Sequence, residues 1–132
     1  MNDLKAKQQL QEMVDNIANN IQHGMTYEEA GMDHQLYVYD GSPEDYITGM
    51  DYLQDCLDIQ YIVTGASEYL GARVLVSFGG PNIWINTQSE LVEANWWGDY
   101  AVARIDGDSM GLDDALRELW ECSQWTRLIF KW

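Results

Sequence analysis

Positive charge, cysteine, proline and long apolar runs are all scarce in this sequence, and each scarcity removes a class of function. Lys and Arg total seven against 22 Asp and Glu, a formal net charge of -15. Direct nucleic-acid binding needs a basic footprint that displaces counterions from phosphates, so this balance argues against it. Docking on an anionic membrane surface is disfavoured for the same reason. No run of about 18 apolar residues is present to span a bilayer. The opening Met-Asn-Asp-Leu-Lys-Ala-Lys has no apolar stretch of the secretory kind, which sets the expectation of a cytoplasmic protein.

Two cysteines, Cys56 and Cys122, make no disulfide framework, and the expectation is reduced core thiols. Neither belongs to a CxxC or Cys-His pair. With His23 and His34 the only other soft ligands, a structural zinc site would consume the whole set, so no metal and no cofactor are expected. Proline occurs only at 43 and 81, and there is no repeat, low-complexity tract or flexible linker. At 132 residues with 46% hydrophobic side chains, the chain reads as one domain, 1–132, with one core.

Periodicity divides that domain into an acidic helical part over 1–58, a sheet over 59–105 and a C-terminal helix and tail over 106–132. Leu10, Met13, Val14, Ile17, Ala18 and Ile21 recur at helical spacing, and Gly24 stands where a left-handed cap would end the helix. Thr26-x-x-Glu29 has capping-box spacing, predicting a short second helical turn. Residues 34–39 have mixed β character. Ser42-Pro43-Glu44-Asp45 then reads as a helix start, with Pro43 at the first position and acids at the positive helix end, predicting a helix to about Leu57.

From Ile59 the period changes to two. Runs at 59–64, 72–78, 82–86, 91–97 and 100–105 are separated by Gly79-Gly80-Pro81, Thr87-Gln88-Ser89 and Gly98-Asp99, connections short enough to force antiparallel neighbours. Asp108-Ser109 opens a last helix over about 112–122, and the tail 125–132 alternates like an edge strand. The expected fold class is α+β: N-terminal helices, an antiparallel meander of about four strands, and a C-terminal helix.

The sheet region carries a resemblance. Ala72-Arg73-Val74-Leu75-Val76, Gly79-Gly80-Pro81-Asn82-Ile83-Trp84-Ile85-Asn86-Thr87, Trp96-Trp97-Gly98-Asp99 and Leu116-Arg117-Glu118-Leu119-Trp120-Glu121-Cys122 resemble a group of small acidic proteins carried by bacteriophages and integrated mobile elements. The likeness covers about half of the chain. It implies a genomic setting, the cytoplasm of a host cell, and no particular reaction. Small acidic proteins in that setting include inhibitors of host defence such as anti-CRISPR and anti-restriction proteins.

Charge distribution gives this reading its chemistry. Between Lys7 and Arg73 there is no Lys or Arg, while twelve acids fall in the interval. On the predicted helix, Glu44, Asp51, Asp55 and Asp58 would share one stripe, roughly 20 Å long at ~1.5 Å per residue, with spacings comparable to phosphates along a nucleic-acid strand. A solvated helix face normally interleaves both signs, because i,i+4 pairs of opposite charge help and like charges hurt. The candidate partner-binding set is therefore Glu28, Glu29, Asp33, Glu44, Asp45, Asp51, Asp55 and Asp58. Its expected partner is a basic nucleic-acid-binding protein such as a CRISPR effector or a restriction enzyme. A homodimeric accessory protein of the element is the alternative, and a small hydrolase a third.

Other motifs are weaker. Asp106-Gly107-Asp108-Ser109-Met110-Gly111 fits a calcium loop only in part, since Met110 and Arg117 stand where oxygen ligands are needed; a turn with a helix cap explains it. Trp84, Trp96, Trp97 and Tyr100 lie in a sheet with only Arg73 and Arg104 beside them, too few cations for a single-strand platform. Of the adjacent Trp96 and Trp97, one should be core and the other an outward protein contact. No Ser, Cys or Thr stands in a motif with His23 or His34, and Pro81 spoils any phosphate cradle at Gly79-Gly80, so no catalytic residue is named.

Overall fold

A computed structural model describes residues 3–36 and 41–129. The fold is α+β, with helices α1 (Asp3–His23), α2 (Tyr27–Ala30) and α3 (Gly49–Tyr52), strands β1 (Asp58–Val63), β2 (Tyr69–Ser77), β3 (Asn82–Asn86), β4 (Leu91–Trp96) and β5 (Asp99–Arg104), then α4 (Leu112–Ile129). The strands form one antiparallel sheet in sequence order β1-β2-β3-β4-β5. The meander expected from the short connections is present, with five strands where about four were expected. No helix among the described residues is long and apolar enough to cross a membrane.

Alternation along the strands puts Val74, Ile85, Val92 and Ala101 on one face, where they meet Leu10 and Val14 of α1 and Leu112 and Leu116 of α4. α1 lies over β4 and β5, and α4 lies over β2. Tyr61 of β1 also packs on Trp120 of α4, ring centroids 5.2 Å apart. A smaller satellite core of Tyr27, Ile47 and Met110 supports α2 and α3.

Three sequence expectations are corrected. The helix expected from Ser42 to Leu57 is a turn at 42–45 followed by the short α3 and a 3-10 turn at Leu53–Asp55. Its backbone groups are taken elsewhere: Tyr27 N–H donates to the Asp45 carbonyl, Glu28 N–H to Pro43, Ile47 N–H to Met25 and Gly49 N–H to Met110. A carbonyl and an amide spent on other segments cannot serve an i→i−4 ladder. At His34–Leu36 the mixed run begins as a 3-10 turn, and 37–39 lie outside the described residues.

The alternating tail is helical at least to Ile129, because no Gly or Pro stops α4 after Cys122 and propagation costs little once a helix is nucleated. Phe130 and Trp132 lie outside the described residues. Of the two cysteines expected in the core, Cys56 packs against it and Cys122 is exposed on α4.

Gly49 is a contact point between α3 and α4. A Cβ there would lie 2.4 Å from the Gly111 carbonyl oxygen, so only glycine permits this approach. Gly65 has open space around it and ordinary φ. Thermal denaturation should therefore show Gly49→Ala losing about 2 kcal/mol and Gly65→Ala losing nothing beyond ~0.5 kcal/mol; equal effects would refute the close approach.

Candidate functional site

The structure assembles part of the expected acidic site by a different route. Thr26 and Tyr46 form an antiparallel bridge, and the backbone bonds from Tyr27 and Glu28 to Asp45 and Pro43 extend it. This lays Glu28 and Glu29 of α2 alongside the 42–45 turn that carries Glu44 and Asp45. Asp51 joins from α3, where its carboxylate accepts the Tyr27 hydroxyl at 2.7 Å. The helical stripe of Glu44, Asp51, Asp55 and Asp58 does not exist, since these residues occupy a turn, α3, a 3-10 turn and the start of β1. Asp33 follows the left-handed Gly31 that ends α2.

Most of these carboxylates have a local task. Glu29 accepts from the Thr26 N–H at 2.9 Å while Thr26 Oγ1 accepts from the Glu29 N–H at 3.1 Å, the expected capping box. Hydrogen bonds to its carboxyl from Thr26, the backbone N–H first and the hydroxyl second, hold Glu29 below its ordinary pKa. Thr48 and Asp51 repeat the box at α3, with both bonds at 3.1 Å. Asp33 accepts from Gln35 N–H at 3.0 Å, Asp45 from Ser42 N–H at 2.9 Å, and Glu44 from the Ser42 hydroxyl at 3.0 Å. Asp58 accepts its successor's N–H at 2.9 Å. A carboxylate satisfying backbone donors stabilises the turn and keeps its negative charge at the surface.

Cationic compensation is sparse. Arg104 pairs with Asp106 at 3.5 Å, both ends well exposed. Such a pair contributes at most about 1 kcal/mol.

Asp108, the residue of the calcium-like segment, accepts three N–H groups, from Gly111, Leu112 and Asp113, at 2.8 to 2.9 Å. It therefore fixes the start of α4, as a turn with a cap would require. Beside it lies a pocket of about 220 Å³ floored by Ile21, Ile105 and Leu112 and edged by Glu90, Asp108 and Asp113. Asp113 accepts the Tyr69 hydroxyl at 2.7 Å. Two of the three acids are thus tied into the structure, and among the described residues no cluster of three His, Cys, Asp or Glu has metal-binding geometry.

Sequence reasoning missed the bridge that brings 26–29 to 42–46, because an isolated pairing between segments about twenty positions apart leaves no periodicity. It also misplaced Trp97. The β4–β5 connection is Trp97-Gly98, so Trp97 sits in the loop and Asp99 pairs with Trp96. Trp96 does pack against the core and Trp97 does face outward. No family model, curated protein or solved structure matches the chain.

Among the candidate acids Asp51 joins a cap to a buried phenol. In urea denaturation, Asp51→Ala should lose about 2 kcal/mol, one for the cap and one for the Tyr27 bond, and Asp55→Ala no more than ~0.5 kcal/mol. Equal stabilities would show that the carboxylate is not a structural member.

Buried hydroxyls resist ionisation at alkaline pH. Burial pushes the Tyr52 hydroxyl up to about 12; burial and the Asp113 hydrogen bond also push Tyr69 upward. A folded pKa above the unfolded value of ~10 favours the folded state below pH ~10, and that stabilisation is lost as pH rises through the folded values. Burial also pushes the Cys56 thiol up, so midpoints measured from pH 8 to 11.5 should begin to fall at pH ~9 and fall more steeply above about pH 10, with a shallower fall above pH ~10 in Tyr69→Phe; a variant slope there as steep as wild type would reject the assignment for Tyr69.

Proposed function

We propose that the protein is a non-catalytic binding protein that presents an uncompensated anionic surface to a basic, nucleic-acid-binding partner. The observation that carries this reading is the lobe over 24–58: no Lys or Arg falls within it, and backbone pairing sets Glu28 and Glu29 beside Glu44 and Asp45. Like charges brought together by the fold repel one another, and a cationic surface laid over them relieves that repulsion. At long range the same field steers a basic partner toward the lobe.

The resemblance of the sheet motifs to small acidic phage and mobile-element proteins narrows the partner to a host defence nuclease. In this reading the protein acts in the anti-CRISPR or anti-restriction manner, occupying a groove lined by Lys and Arg that would otherwise hold DNA. Glu28, Glu44 and Asp55 are the residues to reverse, because no backbone N–H accepted by their carboxylates fixes the fold there; Asp51 is unsuitable, since its replacement disturbs α3.

DNA cleavage by purified CRISPR effector and restriction nucleases, measured with the protein added, tests the proposal. Inhibition should weaken at least tenfold between about 50 and 200 mM salt, as expected for association driven by exposed charges. The triple variant Glu28→Lys, Glu44→Lys, Asp55→Lys should lose inhibition while keeping the wild-type circular dichroism spectrum. Inhibition that ignores both salt and charge reversal, or no inhibition of any basic nuclease, overturns it.

A further inference from the structure

The end of the sheet where β2 turns into β3 and β4 into β5 carries exposed aromatic surface. Asn82 pairs with Asn95, and Asn95 with Tyr100, so the 78–81 loop and the Trp97-Gly98 loop lie at the same end. Phe78 is 74% exposed, Trp97 90% and Tyr100 49%. Between the loops is a pocket of about 330 Å³ whose walls include Asn82, Asn95, Trp96, Trp97 and Asp99. Gly80 forms part of its edge, where a Cβ would come within 3.3 Å of the Trp96 indole nitrogen.

Trp97 is costly where it stands. Its φ is +52° and that of Gly98 is +85°, positive at both loop residues as in a type I′ hairpin turn. That turn favours Asn-Gly, and a bulky side chain at positive φ is an outlier. Being almost wholly exposed, Trp97 recovers nothing by packing. Strain without a packing return points to a contact made with something else.

The chemistry of the pocket selects a cation. An indole face attracts guanidinium through its quadrupole, and the Asp99 carboxylate and the amide oxygen of Asn95 supply acceptors for its planar N–H groups. The chain already seats guanidinium groups on aromatic rings, with Arg73 4.2 Å over the Trp84 indole and Arg117 4.9 Å over the Tyr69 phenol ring. Arg104, the one cation on β5, lies at the other end of that strand and pairs with Asp106. A second copy of the chain would bring another net charge of -15 against the first, which disfavours self-association here.

We infer that the Trp97 end of the sheet is an arginine-reading contact, which seats a guanidinium of a basic protein partner on the Trp97 face beside Asp99. This rests on the reading of the protein as a binder of basic proteins and assigns the side chain it recognises. Trp97 would supply the anchor of the interface and the acidic lobe the long-range attraction.

Calorimetry of the full chain with hexa-arginine and hexa-lysine peptides at low salt tests it, with the Trp97 indole N–H followed by NMR. Hexa-arginine should bind about tenfold tighter than hexa-lysine and shift the Trp97 signal. Trp97→Asn, which installs the favoured turn, should erase that preference, change hexa-lysine affinity less than about twofold, and raise Tm by about 3 °C. A variant that keeps the arginine preference, or that melts lower than wild type, overturns the inference and leaves the anionic reading standing. Wild-type protein that binds neither peptide overturns both. A dimer in sedimentation that Trp97→Asn dissolves assigns the surface to a second copy instead.

Discussion

A carboxylate accepting backbone N–H groups is the interaction on which the acidic half of this protein depends. A short helix or turn leaves its first amide hydrogens without intrachain partners, and each must find an acceptor or remain in water. Here the acceptors are acids. Glu29 closes α2, Asp51 closes α3, Asp45 closes the turn between them, and Asp108 gathers three amides at the start of α4. Without them, α2 and α3, each of four residues, would be too short to persist on propensity. Tyr27 then ties the two small helices together, since its buried ring fills the satellite core and its hydroxyl reaches Asp51.

This accounting changes what the charge means. An acid with no Lys or Arg nearby looks unpaired in sequence, yet six of the eight candidates, Glu29, Asp33, Glu44, Asp45, Asp51 and Asp58, accept hydrogen bonds from backbone amides or a hydroxyl. Local capping therefore explains why acids occupy those positions. It does not explain why no cation is interleaved among them. Capping neutralises no charge, so the lobe keeps its negative field, and the scarcity of Lys and Arg is the feature on which the proposed partner rests.

The parts of the fold that were legible in the sequence are those written in short-range pattern. α1 follows from apolar spacing and a left-handed glycine, α2 from the Thr26 and Glu29 spacing, and the meander from alternation broken by turns. The failures share a cause. Ser42-Pro43-Glu44-Asp45 satisfies every local rule for a helix start, but Met25, Tyr27 and Glu28 compete for the same backbone groups and win. Gly49 lies within the segment expected as that helix, and its role is a close approach to Gly111 that no periodicity signals. The run expected over 72–78 begins earlier, at Tyr69, and takes in Gly71, where Gln88 crosses so near that a Cβ would sit 2.8 Å from its amide nitrogen. The candidate residues were readable as types, whereas their grouping depended on a pairing that no periodicity records.

The two faces of the sheet explain where contacts can be made. One is covered by α1 and α4. On the other, Leu75 is only 9% exposed, and it is paired with Trp84, whose ring carries the Arg73 guanidinium. Arg73 in turn donates to Gln60 across the β1–β2 pair at 2.9 Å. On β2 and β3 that face is covered by its own side chains, Arg73 laying its stem along the apolar surface and turning its polar end to water. The hairpin end has no comparable arrangement: Phe78 and Trp97 stand in loops beyond the last paired residues, where no neighbouring strand can supply a covering side chain. A partner that brings its own guanidinium would complete at this end the aromatic and cation pairing that Trp84 and Arg73 already form within the sheet.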